Sequence, residues 1–173
     1  MKKDDKSDTK ADDRSVHDVH EDNTASTGSD LDQKRARVVR IVHAVAPRFL
    51  DAHEIEQRDF NVVTRSFQNN NTQRWDLTQV EGSLHRIQQV SSGRFLDAHE
   101  IPSLDYRVVT RPRQDNTTQL WHLFDYGGGF FTIQHASSGR FLEAYLSQTQ
   151  DFQAVTRPQR QGDNMQLWRI VNP

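Results

Sequence analysis

The apolar positions of this chain alternate with polar ones in short runs, and the runs come back in threes. Arg48-Phe49-Leu50-Asp51-Ala52-His53-Glu54 returns 46 residues later as Arg94-Phe95-Leu96-Asp97-Ala98-His99-Glu100. A third copy, after another 46, reads Arg140-Phe141-Leu142-Glu143-Ala144-Tyr145-Leu146. Val62-Val63-Thr64-Arg65, Val108-Val109-Thr110-Arg111 and Ala154-Val155-Thr156-Arg157 keep the same register. So do Gln73-Arg74-Trp75, Gln119-Leu120-Trp121 and Gln166-Leu167-Trp168, except that the last step is 47 and places one extra residue between Arg157 and Gln166. Such self-similarity decides the architecture before any single element does.

Each unit reads as four short strands. In the second copy the pattern predicts them over about 85–90, 94–100, 106–112 and 119–124. Ser91-Ser92-Gly93 and Ser137-Ser138-Gly139 supply turn chemistry between the first two strands, and Asn69-Asn70-Asn71 and Asp115-Asn116-Thr117 precede the last. Period-two alternation puts Leu96 and Ala98 on one face, and Phe95, Asp97 and His99 on the other. No window of helical period competes. Twelve strands in three pseudo-equivalent units, about 38–83, 84–129 and 130–173, predict an all-β trefoil. It would close by pairing 166–171 with 39–42, which removes an exposed edge.

Composition then divides the chain. Residues 1–36 hold ten Asp/Glu, seven Lys/Arg, all five lysines and no aromatic residue. They are expected to be a disordered charged arm, because they cannot bury enough apolar surface to offset ordering entropy. Residues 37–173 carry every Phe, Trp and Tyr, and all of their Lys/Arg residues are arginine. The net charge of −2 separates into −3 for the arm and +1 for the body. That balance gives no case for nucleic acid. The absence of cysteine excludes disulfides and thiolate chemistry. No apolar run approaches the ~20 residues of a membrane span, and no secretory segment opens the chain, so a cytoplasmic location is the expectation, with non-standard secretion left open.

Three Gln-x-Trp units at this spacing resemble the ricin B-type lectin domain. The resemblance implies a β-trefoil over about 38–173 and carbohydrate binding. It implies that Asp51, Asp97 and Glu143 accept hydrogen bonds from adjacent sugar hydroxyls. Gln73, Gln119 and Gln166 would buttress those carboxylates, and Trp75, Trp121 and Trp168 would fill the core. Two departures stand out. Arg65, Arg111 and Arg157 occupy the slot where the family places a stacking aromatic, and suggest acidic or highly hydroxylated glycans. Thr72, Thr118 and Met165 replace the family's Asn before the Gln.

The candidate carbohydrate-binding residues are therefore Asp51, His53, Arg65, Gln73, Asp97, His99, Arg111, Gln119, Glu143, Tyr145, Arg157 and Gln166. The Asp-x-His pairs read equally as ligand-orienting clusters or as contacts pinning strand two to strand three. Phe60, Tyr106 and Phe152, each following an Asp, read as core or barrel-rim packing, or as the missing stacking ring. Arg48, Arg94 and Arg140 read as structural ion pairs, and Gly127-Gly128-Gly129 as a turn between units two and three. One His per unit falls short of a metal set, and His17 and His20 read as part of a solvated arm. No cofactor is implied. Threefold copies fall in separate lobes and do not converge on one substrate, which argues against catalysis. The sequence thus predicts a non-enzymatic, monomeric, lectin-like protein with shallow repeated glycan sites. The alternative is a protein-interaction or inhibitor module on the same scaffold.

Overall fold

A computed structural model describes residues 36–173. The arm expected over 1–36, with His17 and His20, lies outside the described residues apart from Ala36. The first repeat forms β1 (Arg37–His43), β2 (Phe49–Ala52), β3 (Val62–Arg65) and β4 (Trp75–Glu81). The second forms β5 (Leu84–Gln89), β6 (Phe95–Ala98), β7 (Val108–Arg111) and β8 (Trp121–Gly127). The third forms β9 (Phe130–His135), β10 (Phe141–Ala144), β11 (Ala154–Arg157) and β12 (Trp168–Val171). Among the described residues there is no α-helix, and none is long and apolar enough to cross a membrane.

Six strands close a barrel: β1 pairs β4, β4 pairs β5, β5 pairs β8, β8 pairs β9, β9 pairs β12, and β12 returns to β1. The expected closure is present, with Ile41 opposite Ile170 and His43 opposite Trp168. The hairpins β2–β3, β6–β7 and β10–β11 cap one end. Five positions of each repeat supply the core: Ile41, Leu50, Ala52, Val62 and Trp75, with their counterparts, the third repeat putting Ala154 where the others have valine. The tryptophans are fully buried, and each indole donates to a strand-two carbonyl at 3.0 Å: Trp75 to Leu50, Trp121 to Leu96 and Trp168 to Leu142. A buried indole N–H needs such an acceptor, which fixes the ring's angle as well as its depth.

Two predicted boundaries move, for one reason each. Gln73, Gln119 and Gln166 do not open the last strands; they end the 3₁₀ turns Asn71–Gln73, Thr117–Gln119 and Asn164–Gln166. The third strands start late because each is preceded by two consecutive left-handed residues. These are Asp59-Phe60, Asp105-Tyr106 and Asp151-Phe152, all with φ between 49° and 55°. Left-handed geometry costs a non-glycine residue roughly 1–2 kcal/mol, and here the aromatic gains partners in another repeat. Phe152 carbonyl accepts from Thr64 N at 2.9 Å, Phe60 from Thr110 at 3.0 Å and Tyr106 from Thr156 at 2.9 Å. Arg48 stacks on Phe152 (3.5 Å to the ring centroid), Arg94 on Phe60 (3.6 Å) and Arg140 on Tyr106 (3.7 Å). These arginines are therefore not ion pairs: each also donates to a threonine carbonyl of its own β2–β3-type hairpin. The aromatics are half-buried packing groups where β3, β7 and β11 meet. Gly127-Gly128-Gly129, all with positive φ, turns the β8–β9 hairpin that joins units two and three.

A second set of ties joins repeats beneath the tryptophans. His43, Gln89 and His135 share one position at the ends of β1, β5 and β9. Through a side-chain nitrogen each bonds a carbonyl just ahead of a Gln-x-Trp in another repeat: Met165 (3.0 Å), Thr72 (2.9 Å) and Thr118 (2.8 Å). Both histidines pack against a tryptophan, Trp168 and Trp121. Burial lowers the pKa of both rings below 6.5, although the hydrogen-bonded carbonyls, Glu143 and Asp163 near His43, and Glu100 and Asp97 near His135 oppose the shift. The unfolded chain then binds more protons than the native one below about pH 6.5, so stability falls as pH drops from that point toward the lower native values. Gln89 performs the same bonding without a proton to gain. The double variant His43→Gln/His135→Gln is expected to fold and to lose less urea stability between pH 7 and pH 5 than the wild type. Parallel losses in the two proteins would show that the buried histidines are not the acid-sensitive element.

Candidate functional site

The buried glutamine of each Gln-x-Trp organises the surface above it. Gln73 Nε2 donates to Asp51 Oδ2 (3.2 Å) and to the Ser66 carbonyl (2.9 Å), while its Oε1 accepts from Gln68 N (2.8 Å). Gln119 repeats this with Asp97, Pro112 and Gln114. Only an amide offers two donors and an acceptor from one small planar group, which is why Gln serves here. Asp51 and Asp97 each also accept from the next backbone N–H, of Ala52 (2.8 Å) and Ala98 (2.7 Å). Alternation had put Asp97 on the outer face. That face is covered by the loop before the Trp, and Asp51 and Asp97 are only 3% and 4% exposed.

Above Asp51 lies an open cleft of about 340 Å³, lined by Asp51, Ala52, His53, Glu54, Arg65 and Gln68, with Asn70 and Thr72 at its rim. Of the expected residues, Asp51, His53 and Arg65 therefore converge there, while Gln73 sits beneath as a support. The rim is pre-ordered: Thr72 Oγ1 donates to Asn70 Oδ1 (2.9 Å), and Asn70 Nδ2 to Gln68 Oε1 (3.0 Å). Repeat two has the identical residue at all eight lining positions: Asp97, Ala98, His99, Glu100, Arg111, Gln114, Asn116 and Thr118. It also reproduces the rim bonds at 2.8 and 3.0 Å. Glu54, Gln68, Asn70 and Thr72 were not among the expected site residues. Their identity with Glu100, Gln114, Asn116 and Thr118 was the available signal.

His53 and Arg65 have a second task. His53 Nε2 lies 2.8 Å from Asp151 Oδ2 of the third repeat and 3.2 Å from Arg65 Nη2, and Arg58 also reaches Asp151 at 3.1 Å. His99 meets Asp59 at 2.7 Å, with Arg111 at 3.2 Å from His99 and 3.7 Å from Asp59. In the third lobe Tyr145 donates to Asp105 at 2.6 Å, and Arg157 reaches Asp105 at 2.7 Å. Burial, followed by the bond to Asp105, raises the Tyr145 phenol above its ordinary 10. The aspartates are the first residues of the left-handed corners, so the corner also supplies the carboxylate that ties one repeat to the next. The His53–Arg65 and His99–Arg111 contacts join strand two to strand three within a repeat, and the corner aspartates add a tie that neither expectation contained. They join neighbouring repeats at the wall of the cleft.

The third lobe is built differently. Gln166 still bonds Glu143 at 3.2 Å, but Arg160 stands where Gln68 and Gln114 stand and reaches Glu143 Oε1 at 3.5 Å. Tyr145, Leu146 and Met165 replace the His, Glu and Thr of the other two repeats. Among the described residues, no group of three or more His, Asp or Glu side chains could hold a metal ion.

Residues 71–147 and 117–173 match the family described as ricin-type β-trefoil lectin domain-like. The chain belongs to that family. No curated protein matches the sequence. Several solved structures share the fold. The designed threefold-symmetric protein ThreeFoil is 22% identical, with a TM-score of 0.70 over 79% of this chain and 99% of that one. An exo-β-1,3-galactanase from Clostridium thermocellum is 22% identical, at 0.68, with 79% of this chain covering 30% of that one. A lectin from Polyporus squamosus, solved with a Neu5Ac-containing epitope, is 16% identical, at 0.68, covering 79% and 49%. At such identities the likeness concerns the fold.

The corner aspartates yield a test. Asn tolerates left-handed geometry as Asp does, so Asp59→Asn removes the charge and keeps the turn. Its partners are partly exposed, and a loss of about 0.5–1 kcal/mol is expected. Urea midpoints should fall, and fall less at high salt. A loss independent of salt would assign the bond to geometry alone.

Proposed function

We propose that this ricin-type trefoil binds neutral, hydroxyl-rich glycans without chemical turnover, through two equivalent clefts on repeats one and two. The observation that carries this reading is the duplicated lining: all eight cleft residues are identical between the repeats, although well under half of their other positions agree. Core packing alone does not demand identity at exposed Glu54, Gln68 and Asn70.

A carboxylate has about four acceptor sites, and Asp51 uses two of them internally. Two remain for adjacent hydroxyls, and fixed orientation raises the value of such charge-assisted bonds. Two carboxylates, Asp51 and Glu54, stand in the lining against one guanidinium, Arg65. Arg111 faces Asp59 directly. Both facts turn the reading away from the acidic glycans that the arginine slot had suggested. Without an aromatic floor, each cleft binds weakly, and two clefts engaging one multivalent surface supply avidity. Because the internal bonds make Asp51 a fixed acceptor, the proposed role is recognition and not acid–base work. The third lobe, with Arg160 across Glu143, contributes little to this mode.

On a glycan array the full chain is expected to retain neutral glycans. Asp51→Ala/Asp97→Ala should remove the avid, two-cleft part of that retention. Asn70→Ala/Asn116→Ala, at exposed rim positions, should weaken it roughly tenfold per removed bond pair with an unchanged melting temperature. A single Asp51→Ala change should lower avidity on a dense surface while leaving the monovalent affinity of the other cleft intact. Array silence from a folded wild type would favour the protein-interaction module instead, and binding indifferent to both double variants would overturn the two-cleft reading.

A further inference from the structure

The third repeat departs from the other two where it opens space. Arg40 on β1 lies against the loop that precedes its own Gln-x-Trp. It donates to Asn69 Oδ1 at 3.2 Å, and its guanidinium stands 4.9 Å from the Phe67 ring centroid. Arg86, at the same position of β5, is 4.0 Å from Asp115 in the corresponding loop. On β9 that position is Thr132, and the facing loop holds the extra residue of this repeat, with Gly162 at φ 76°. A short side chain opposite a longer loop leaves a cleft of about 390 Å³. Tyr126, Thr132, Gln159, Arg160, Gln161 and Asp163 are among its lining residues. Tyr126 is 60% exposed and replaces the Val80 of the preceding unit.

We propose that this cleft is a separate site for a neutral pyranoside, different in construction from the carboxylate clefts above Asp51 and Asp97. A pyranose ring has an apolar C–H face and hydroxyl edges. An exposed aromatic beside side-chain amides and a hydroxyl matches both, and tyrosine joins an apolar body to a polar tip. The volume lies within the ordinary range for small-molecule sites. Charge excludes an anionic preference, because Arg160 already lies 3.5 Å from both Glu143 and Asp163. The assignment does not depend on the carboxylate clefts, since no lining residue is shared with them. It also gives the third repeat a use that its altered Glu143 lobe does not.

Saturation-transfer NMR on the full chain, with methyl glycosides of galactose, glucose, mannose and N-acetylglucosamine as probes, tests it. At least one glycoside should show transfer that persists in Asp51→Ala/Asp97→Ala and perturbs the Tyr126 ring resonances. Thr132→Arg, which restores the arginine of the other repeats, should abolish that signal. Tyr126→Ala, at an exposed position, should weaken it roughly tenfold and serves alone if Thr132→Arg misfolds. Absence of transfer in the wild type, its complete loss in Asp51→Ala/Asp97→Ala, or its survival at full strength in Tyr126→Ala would each overturn the assignment. Failure of the carboxylate clefts leaves the Tyr126-dependent signal in place, so the two readings are separable.

Discussion

The backbone N–H groups of Thr64, Thr110 and Thr156 find their acceptors outside their own repeats, on Phe152, Phe60 and Tyr106. A buried, unpaired backbone donor is costly, so no third strand is complete until the neighbouring repeat is in place. The chain meets this constraint with a two-residue left-handed corner that swings an aromatic carbonyl toward the next unit. The strain of that corner is offset by the arginine stacked on the ring and by the aspartate one position earlier, which bonds His53, His99 or Tyr145. One local conformation therefore closes the sheet, seats the aromatics and places the inter-repeat charges.

The cleft inherits its geometry from this closure. His53 and Arg65 form its wall because Asp151 of the third repeat holds His53 and His53 meets Arg65, and Asp51 forms its floor because Gln73 holds it from beneath. A polar surface held from two sides is pre-organised, which suits recognition of hydroxyl groups by fixed acceptors. The same arrangement separates cleft residues into those facing solvent and those supporting them, a distinction invisible at the level of residue type.

Pseudo-symmetry also shows where the repeats have diverged. Repeats one and two share every cleft residue, whereas the third exchanges Asp for Glu, His for Tyr and Gln for Arg160. The exchange keeps two ties of the other repeats, since Gln166 still bonds Glu143 and Tyr145 still reaches a corner aspartate. Thr132 and the lengthened loop then open a cleft that the other repeats fill with arginine.

Repeat spacing and strand alternation by themselves determined the trefoil and its closure through β1 and β12, because those depend on periodicity that any copy displays; the tryptophan core followed from the family resemblance. The Gln-to-carboxylate pairing followed from the family resemblance and holds in all three lobes. The partners of His53, Arg48 and Phe60 were settled only by tertiary structure. His53 bonds a residue 98 positions away, and Arg48 lies on a ring from another repeat. In a threefold sequence every copy offers the same candidate partner, so residue order cannot say whether a contact closes within a repeat or passes to the next. The left-handed corner makes that choice, and with it decides which polar residues support the cleft and which face its open side.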